Sequence, residues 1–599
     1  MRGFLVLFDT QPTLPASELD TVERQLALWT RSFPPASLRE ASHPRCRFFL
    51  YTHSRNGNVP AELNQKLVRT PDGTVLWTGP RVDMTADDLL RANAPGDLPA
   101  SVDATRSSPG ALDTAICVRY RTVPHSLIVK TDVINSTFVY WTQSGRWVLV
   151  SNSSLTLARI TGASVDPVAA AEFLASGSIY GNRSLYKDIG SFRPATLYSF
   201  TESGVPARQP YWTLDTLPFE TLAAREACDR VVGLLDADFA DLNATGKTFI
   251  LDLTGGYDSR TNLGFAVRQL KNFETTVTGV PEDEDVTISS ALAKHFGIKH
   301  TVISPIDPDD DATRARRLAD SALLTDLEYD LVEYSRIYRV QTQFDTLHQP
   351  SIHGSGGGDI ARNIILRSEF CDPDPDGKVV LESLINSRFK CAIPVDWSLP
   401  DVPIADWLNH MRGRIAEYDV PGLPAFARLD VIYLRMRMQF WQSRIASSTN
   451  RFRSSFSPWT NRRVLEAMLT TRWRERRNQM LSRLFIAAQH RDLTRFVAAR
   501  GEPGGPDLVS AIIAAPARLK YYAKRVAVRL GRQPVTNYVN AELYRGLLSS
   551  ADEILARIVK PEAVAKVAAA ALAAPQPQLL GRLVALAHVK RSLDVQSTS

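Results

Sequence analysis

Thr248-Phe249-Ile250-Leu251-Asp252-Leu253, then Thr254-Gly255-Gly256-Tyr257-Asp258-Ser259, then Arg260 through Leu270: the reading of this chain turns on that stretch. Phe249, Ile250, Leu251 and Leu253 make an apolar run of strand length. Leu263, Phe265, Ala266, Val267 and Leu270 recur at roughly helical spacing, so the polar insert falls at a strand-to-helix turn. Two glycines there let the backbone approach an anion with no Cβ in the way, and the first amides of the following helix aim N–H groups and a positive dipole end at it. Asp258 is the odd member, because a carboxylate among phosphate oxygens is repelled unless a divalent cation such as Mg2+ lies between them. The turn predicts a nucleotide with its metal; the bland alternative is an ordinary strand-to-helix loop.

The surroundings add linked features. Thr275 to Gly279 reads as the next strand, Asp283-Glu284-Asp285 precedes a helical pattern over Ile288 to Phe296, and Gly297-Ile298-Lys299-His300 leads into a strand at Thr301-Val302-Ile303. Thr254-Gly-Gly-Tyr-Asp-Ser259 and this order of elements resemble the asparagine synthetase superfamily, whose pyrophosphate loop reads Ser-Gly-Gly-x-Asp-Ser. A second stretch, Ser351-Ile352-His353-Gly354-Ser355-Gly356-Gly357-Gly358-Asp359, again pairs a glycine run with an aspartate that can reach a metal. It resembles the family's Gly-Glu-Gly-x-Asp-Glu element, with one residue more and with Ile360 where an acidic residue commonly follows. The two loops stand about a hundred residues apart, as a metal shared between neighbouring strand ends requires.

Composition sets bounds. The chain has 599 residues, is 44% hydrophobic and 22% charged, and carries a net charge of +6, the usage of a large globular protein of two or more domains. No apolar run reaches the roughly 18 to 20 residues of a membrane helix, and no signal peptide is read at the start. Cys46, Cys117, Cys228, Cys371 and Cys391 form no Cys-x-x-Cys pair, so a cytoplasmic protein with free thiols is expected. The basic excess accompanies no nucleic-acid reader and collects late, from Arg472, Arg474, Arg476 and Arg477 to Arg518, Lys520, Lys524, Arg525, Arg529 and Arg532.

Residues 1–215 read as rich in strands: Gly3 to Phe8, Ala115 to Tyr120, Ser126 to Lys130, Thr137 to Trp141, Trp147 to Val150 and Ala195 to Phe200. Lys130-Thr131-Asp132, Val139-Tyr140-Trp141, Leu149 to Asn152, Val165-Asp166-Pro167, Phe173 to Gly177 and Pro210-Tyr211-Trp212 resemble the glutaminase domain of class II amidotransferases. Such a domain uses an N-terminal cysteine as nucleophile, and Arg2 stands at the matching place, so the resemblance implies the sandwich without glutamine hydrolysis. Cys228, Val231, Val232, Leu235 and Phe239 form one stripe of a joining helix. Ser304 to Thr313 reads as an acidic solvated loop, Leu323 to Val340 as one helix and Leu429 to Arg444 as a long helix whose Tyr433, Met436, Phe440 and Trp441 are core. Ser457-Pro458-Trp459 to Glu466 takes the place of the family's Arg-x-Pro-Phe-Leu-Asp segment, and no lysine lies between Lys390 and Lys520 to meet pyrophosphate. Gly501 to Pro506 reads as a linker or lid. After it, Leu519, Tyr522, Ala523, Val526 and Leu530 make an apolar face flanked by cations, which can cover a site, meet a partner or lie on a membrane. Ala563 to Leu586 reads as a helical pair broken at Pro575-Gln576-Pro577.

The resemblance implies an α/β chain: an Ntn-type αββα sandwich over 1–215, a PP-loop, adenine nucleotide alpha hydrolase-like parallel-sheet domain over 216–500, and a helical extension over 501–599. It implies an AMP-forming carbon-nitrogen ligase that uses ATP and Mg2+ to adenylate a carboxylate for attack by an amine. Asp258 and Asp359 would hold the metal and act in catalysis. Thr254, Gly255, Gly256, Asp258, Ser259, Gly279, Gly356, Gly357 and Gly358 would bind ATP and pyrophosphate. Glu328, Glu333 and Glu369 are candidates for the base. The substrate would be a small molecule or peptide carrying a carboxylate and an amine, as in superfamily members that close β-lactam rings or lasso-peptide macrolactams. No nucleic acid is expected, and a homodimer and peripheral membrane contact stay open. The alternatives are asparagine synthesis from ammonia and an inactive scaffold.

Overall fold

The computed structural model describes residues 1–11, 21–31, 38–52, 65–79, 114–345, 348–361, 407–529, 552–560, 564, 566, 569 and 577–594. Cys371, Cys391, Glu369, Lys390, the stretch from Leu381 to 406 and most of 563–576 lie outside them.

The N-terminal strands are β1 (Arg2–Asp9), β2 (Leu38–His43), β3 (Cys46–Thr52), β4 (Gln65–Thr70), β5 (Gly73–Thr78), β6 (Ile116–Arg121), β7 (Ser126–Lys130), β8 (Tyr140–Ser144), β9 (Trp147–Ser151), β10 (Gly190–Ser191), β11 (Thr196–Phe200) and β12 (Ala207–Pro210). They form two antiparallel sheets, ordered β10-β8-β9-β1-β3-β2 and β12-β11-β7-β6-β5-β4. Strand β1 is buried along its whole length because its alternate side chains serve two cores. Phe4, Val6 and Phe8 meet Val118, Leu127 and Val129 of the second sheet. Leu5 and Leu7 face α1 (Thr21–Arg31), α2 (Ser154–Thr161) and α3 (Pro167–Ser176). Thr137 to Val139, expected in a strand, lies outside β8: the Thr137 amide donates to Asp132 and the Phe138 amide to Ser447, which takes the donors a ladder would need.

Helix α4 (Ala224–Ala244), with Cys228, Val231, Leu235 and Phe239 buried, leads into a wholly parallel sheet. Its strands are β13 (Phe249–Asp252), β14 (Phe273–Thr278), β15 (His300–Ile303), β16 (Ser351–Ile352) and β17 (Ser455–Phe456), ordered β15-β14-β13-β16-β17. Strand order reverses at β13, which pairs with β14 on one side and β16 on the other; Leu251 stands opposite both Thr275 and Ile352. In open parallel sheets, the crevice beyond the carboxyl ends at such a reversal is where ligands bind. Helix α5 (Tyr257–Gln269) follows β13, and α6 (Glu284–His295) follows β14.

The expected helix over Leu323 to Val340 is two helices, α7 (Asp311–Thr325) and α8 (Leu331–Gln341). Asp326 and Leu327 take φ of 52° and 65°, and the Asp330 carboxylate caps α8 by accepting from the Glu333 amide at 2.8 Å. The acidic loop before α7 is clamped rather than merely solvated, since Asp307 and Asp309 both receive the Arg317 guanidinium. The long helix from Leu429 changes pitch: Tyr433–Gln442 is wound as a π-helix before Ser443–Asn450 returns to α. Wide turns of this kind recur at functional sites.

Candidate functional site

Both glycine-plus-aspartate loops leave the sheet side by side, the first after β13 and the second after β16. In the second loop, Gly356 takes φ of 91° and the short helix α9 (Gly357–Ala361) begins at once. The loops touch. A Cβ on Gly354 would lie 2.8 Å from the Asp258 Cβ, and one on Gly358 would collide with the Asp258 carboxylate. A Cβ on Gly357 would strike the Trp459 ring, so the glycine run is the condition for this packing.

The carboxylates differ in their surroundings. Asp258, in the first turn of α5, lies against Gly358, the residue beside Asp359. Asp359 Oδ2 accepts from the Tyr433 hydroxyl and from Gln442 Nε2 at 3.3 Å, both in the π-wound segment. Among the described residues no cluster of three or more His, Cys, Asp or Glu could hold a metal. Magnesium does not need one: it is commonly held by one or two carboxylates together with substrate phosphates and water. Asp258 and Asp359, on adjoining loops, fit that mode of binding.

The first loop's amides are already held by side chains, one of them from α6. The Gly255 amide donates to Asp285 Oδ1 at 2.8 Å, the Gly256 amide to Thr254 Oγ1 at 3.2 Å, and the Thr254 amide to Ser259 Oγ at 3.0 Å. A phosphate at Gly255 would therefore have to replace a carboxylate already on that amide. Gly279 stands apart: its amide donates to the Ile303 carbonyl, and a Cβ there would strike Val286. Residues 498–505 press on the loop from outside. Ala499 N donates to Gly255 O at 2.9 Å and the Tyr257 hydroxyl to Pro503 O at 2.6 Å, so the expected linker is a brace.

Beside the loops, a cavity of about 550 Å³ opens on the carboxyl ends of the strands, within the usual range for a small-molecule site. Thr254, Thr276, Thr278 and His353 line its sheet side, and α8 and the π-wound segment wall it with Arg336, Arg339, Trp441 and Gln442. Asp252 and Glu333 put carboxyl groups into the same wall. Burial pushes Asp252 up to about 6, against the pull of Arg453, and holds His353 down to about 4. The His353 Nδ1 is buried with no hydrogen-bond partner, and buried polar atoms left in that state are uncommon.

Several of these residues escape a reading by motif. Asp252 belongs to a strand, Arg336 and Arg339 to a helix that sequence periodicity merges with its neighbour, and Trp441 and Gln442 to a stretch read as core. Of the late basic residues, Arg476 is buried against Asp430, and Arg472 pairs with Glu475 on the surface. Of the candidate bases, Glu333 lines the cavity, whereas Glu328 is fully buried with Arg444, Ser154 and Tyr140. In the antiparallel layers, Cys46 and Cys117 are buried, and burial raises Cys46 well above an ordinary thiol and Cys117 to about 12. The Arg2 guanidinium is buried and donates to the Phe452 carbonyl.

Comparison with protein-family models gives no match, and comparison with curated proteins gives none. Among solved structures the chain is similar to a glutamine phosphoribosylpyrophosphate (PRPP) amidotransferase from B. subtilis, complexed with ADP and GMP. The identity is 10% and the TM-score 0.20, over 52% of this chain and 70% of that one, a likeness too slight to bear on fold or function.

Proposed function

We propose that the chain is an ATP-dependent ligase: a substrate carboxylate attacks the α-phosphorus of ATP, pyrophosphate leaves, and an amine then displaces AMP to form an amide. One observation carries this reading, the contact between two glycine-plus-aspartate turns at the strand reversal of a parallel sheet, with the Asp258 carboxylate against the backbone beside Asp359. Magnesium, when bound, would neutralise charge growing on the departing phosphate. Asp258 and Asp359 would hold it, Ser259 would donate to a phosphate oxygen, and the strand end at Thr276–Thr278 would face the base. Arg336 and Arg339, which line the cavity, would meet the substrate carboxylate, and Glu333 would take a proton from the amine. The first third is read as a glutaminase-like sandwich that lends surface, the amine coming from the substrate.

A second reading, an inactive scaffold, draws on the Gly255 amide being held by Asp285 and on Asp359 being held by Tyr433 and Gln442. Calorimetry with magnesium and ATP separates the two, since a scaffold takes up no nucleotide. For the ligase, Asp258→Ala and Asp359→Ala should each abolish substrate-dependent pyrophosphate release with the melting temperature little changed. Turnover retained in either variant would refute the metal role.

A further inference from the structure

We infer that helix α10 (Leu508–Arg529) is a docking element that lies flat on an anionic lipid surface. The helix is mounted with the usual polarity of a surface helix reversed. Two small residues seat it on the protein: the Ser510 hydroxyl donates to the Thr494 carbonyl at 3.3 Å, and Ala514 is buried. The backbone at Ala517 and Arg518 rests on Gly501, which takes φ of 69° and has no Cβ to hold the two chains apart. Its large apolar residues face outward. Leu508, Ile512, Leu519, Tyr522 and Val526, at i, i+4, i+11, i+14 and i+18, form one stripe and are 75%, 64%, 74%, 50% and 57% exposed. A helix packed on a globular protein carries its apolar stripe inward; a contiguous one turned outward marks a surface that meets something.

Charge decides what it meets. Between Asp507 and Glu542 the sequence contains no acidic residue, while Arg518, Lys520, Lys524, Arg525, Arg529 and Arg532 fall there. Arg518 and Lys520 are exposed beside the stripe. Apolar side chains between cations complement acyl chains and anionic headgroups at once. A second copy of the same helix would instead bring cations against cations with no acid to receive them. Among the described residues no helix is long and apolar enough to cross a membrane, so the contact is with the surface. Because the segment before α10 hydrogen-bonds Gly255 through Ala499, docking would fix the first loop relative to the lipid. The inference stands apart from the ligase reading and holds whatever the loops bind.

The test is co-sedimentation of the full chain with vesicles of phosphatidylcholine alone or mixed with phosphatidylglycerol. The wild-type protein should pellet with the mixed vesicles and stay in solution with the neutral ones. Ile512→Asp combined with Leu519→Asp should abolish pelleting with no change in melting temperature, since both side chains already face water. Arg518→Gln with Lys520→Gln should weaken binding by about fivefold per cation removed. The proposal is overturned if the wild-type protein ignores anionic vesicles or if the aspartate pair pellets as the wild type does. A concentration-dependent dimer that the aspartate pair dissolves, without vesicle uptake, would assign the stripe to self-association and overturn it equally.

Discussion

At the scale of single residues, the cavity wall holds two groups pushed in opposite directions by the same cause. Burial disfavours charge, so Asp252 is raised from 3.8 to about 6 and His353 lowered from 6.5 to about 4. For Asp252 the folded value lies above the unfolded one, so the stability contributed by its uncharged form is present below about pH 3.8 and lost as pH rises through about 6. Asp252→Asn should therefore gain on the wild type in thermal melts across that window and hold a constant lead above it; parallel curves would sink the assignment. His353 gives the opposite sign, with stability present above pH 6.5 and lost as pH falls toward 4, and His353→Gln should blunt that loss. Gly358→Ala tests the contact between loops, because its methyl group would collide with Asp258. Overpacking of this kind costs about 1–3 kcal/mol, and magnesium-ATP binding by calorimetry should fall at least about tenfold. The residues of both loops were legible in the sequence because glycine and aspartate carry local chemistry. Asp252 and His353 stand in the same two stretches, yet what distinguishes them is the burial that surrounds them, which no local pattern carries.

Among elements, the short helix α9 is held from behind. Arg476, 1% exposed, donates to Asp430 Oδ2 at 2.6 Å and also to the Ile360 carbonyl, so one buried ion pair braces the helix carrying Asp359. Removing one partner of such a pair strands a charge in low dielectric, at a cost of about 3–5 kcal/mol, whereas replacing both by apolar groups is often close to neutral. Arg476→Met should thus lower the urea midpoint sharply, and Arg476→Met with Asp430→Leu should recover most of the loss. If the double variant is as unstable as the sum of the singles, the pair is not the brace. The same element shows where sequence periodicity runs out. Arg476 reads as one member of a basic cluster, because no local pattern tells a buried arginine from a solvated one. Likewise the apolar spacing through Leu323 to Val340 fits one helix, and the break at Asp326 and Leu327 depends on partners more than a hundred residues away. The β13 turn was legible because strand run, glycines and helix lie within one local stretch.

Those distant partners govern the whole molecule. The left-handed turn at Asp326 and Leu327 drives two carboxylates into the antiparallel layers. Asp326 accepts from the Ser153 hydroxyl at 2.7 Å and the Ser154 amide at 3.2 Å, a carboxylate at the N-terminus of α2, and pairs with Arg451 at 2.9 Å. Glu328 accepts from Ser154, from the Leu185 amide and from Tyr140, and pairs with Arg444. Backbone polar groups close the same seam, with Asn135 donating to the Gln439 carbonyl and Gln439 to the Val133 carbonyl. Arg444 and Gln439 belong to the helical run that also supplies Tyr433 and Gln442 to Asp359, so the seam and the candidate site share one rod. Glu328→Gln would keep the shape of the side chain and leave the Arg444 charge buried without its counter-ion, a loss of the order of 3–5 kcal/mol. Because the rod joins both regions, the loss should reach both: hydrogen-exchange protection of the β1 and β9 amides and magnesium-ATP binding at the loops should fail at the same, lowered temperature. If the antiparallel layers melt earlier while nucleotide binding keeps its wild-type midpoint, the seam is a passive contact and the sheets fold independently of the site.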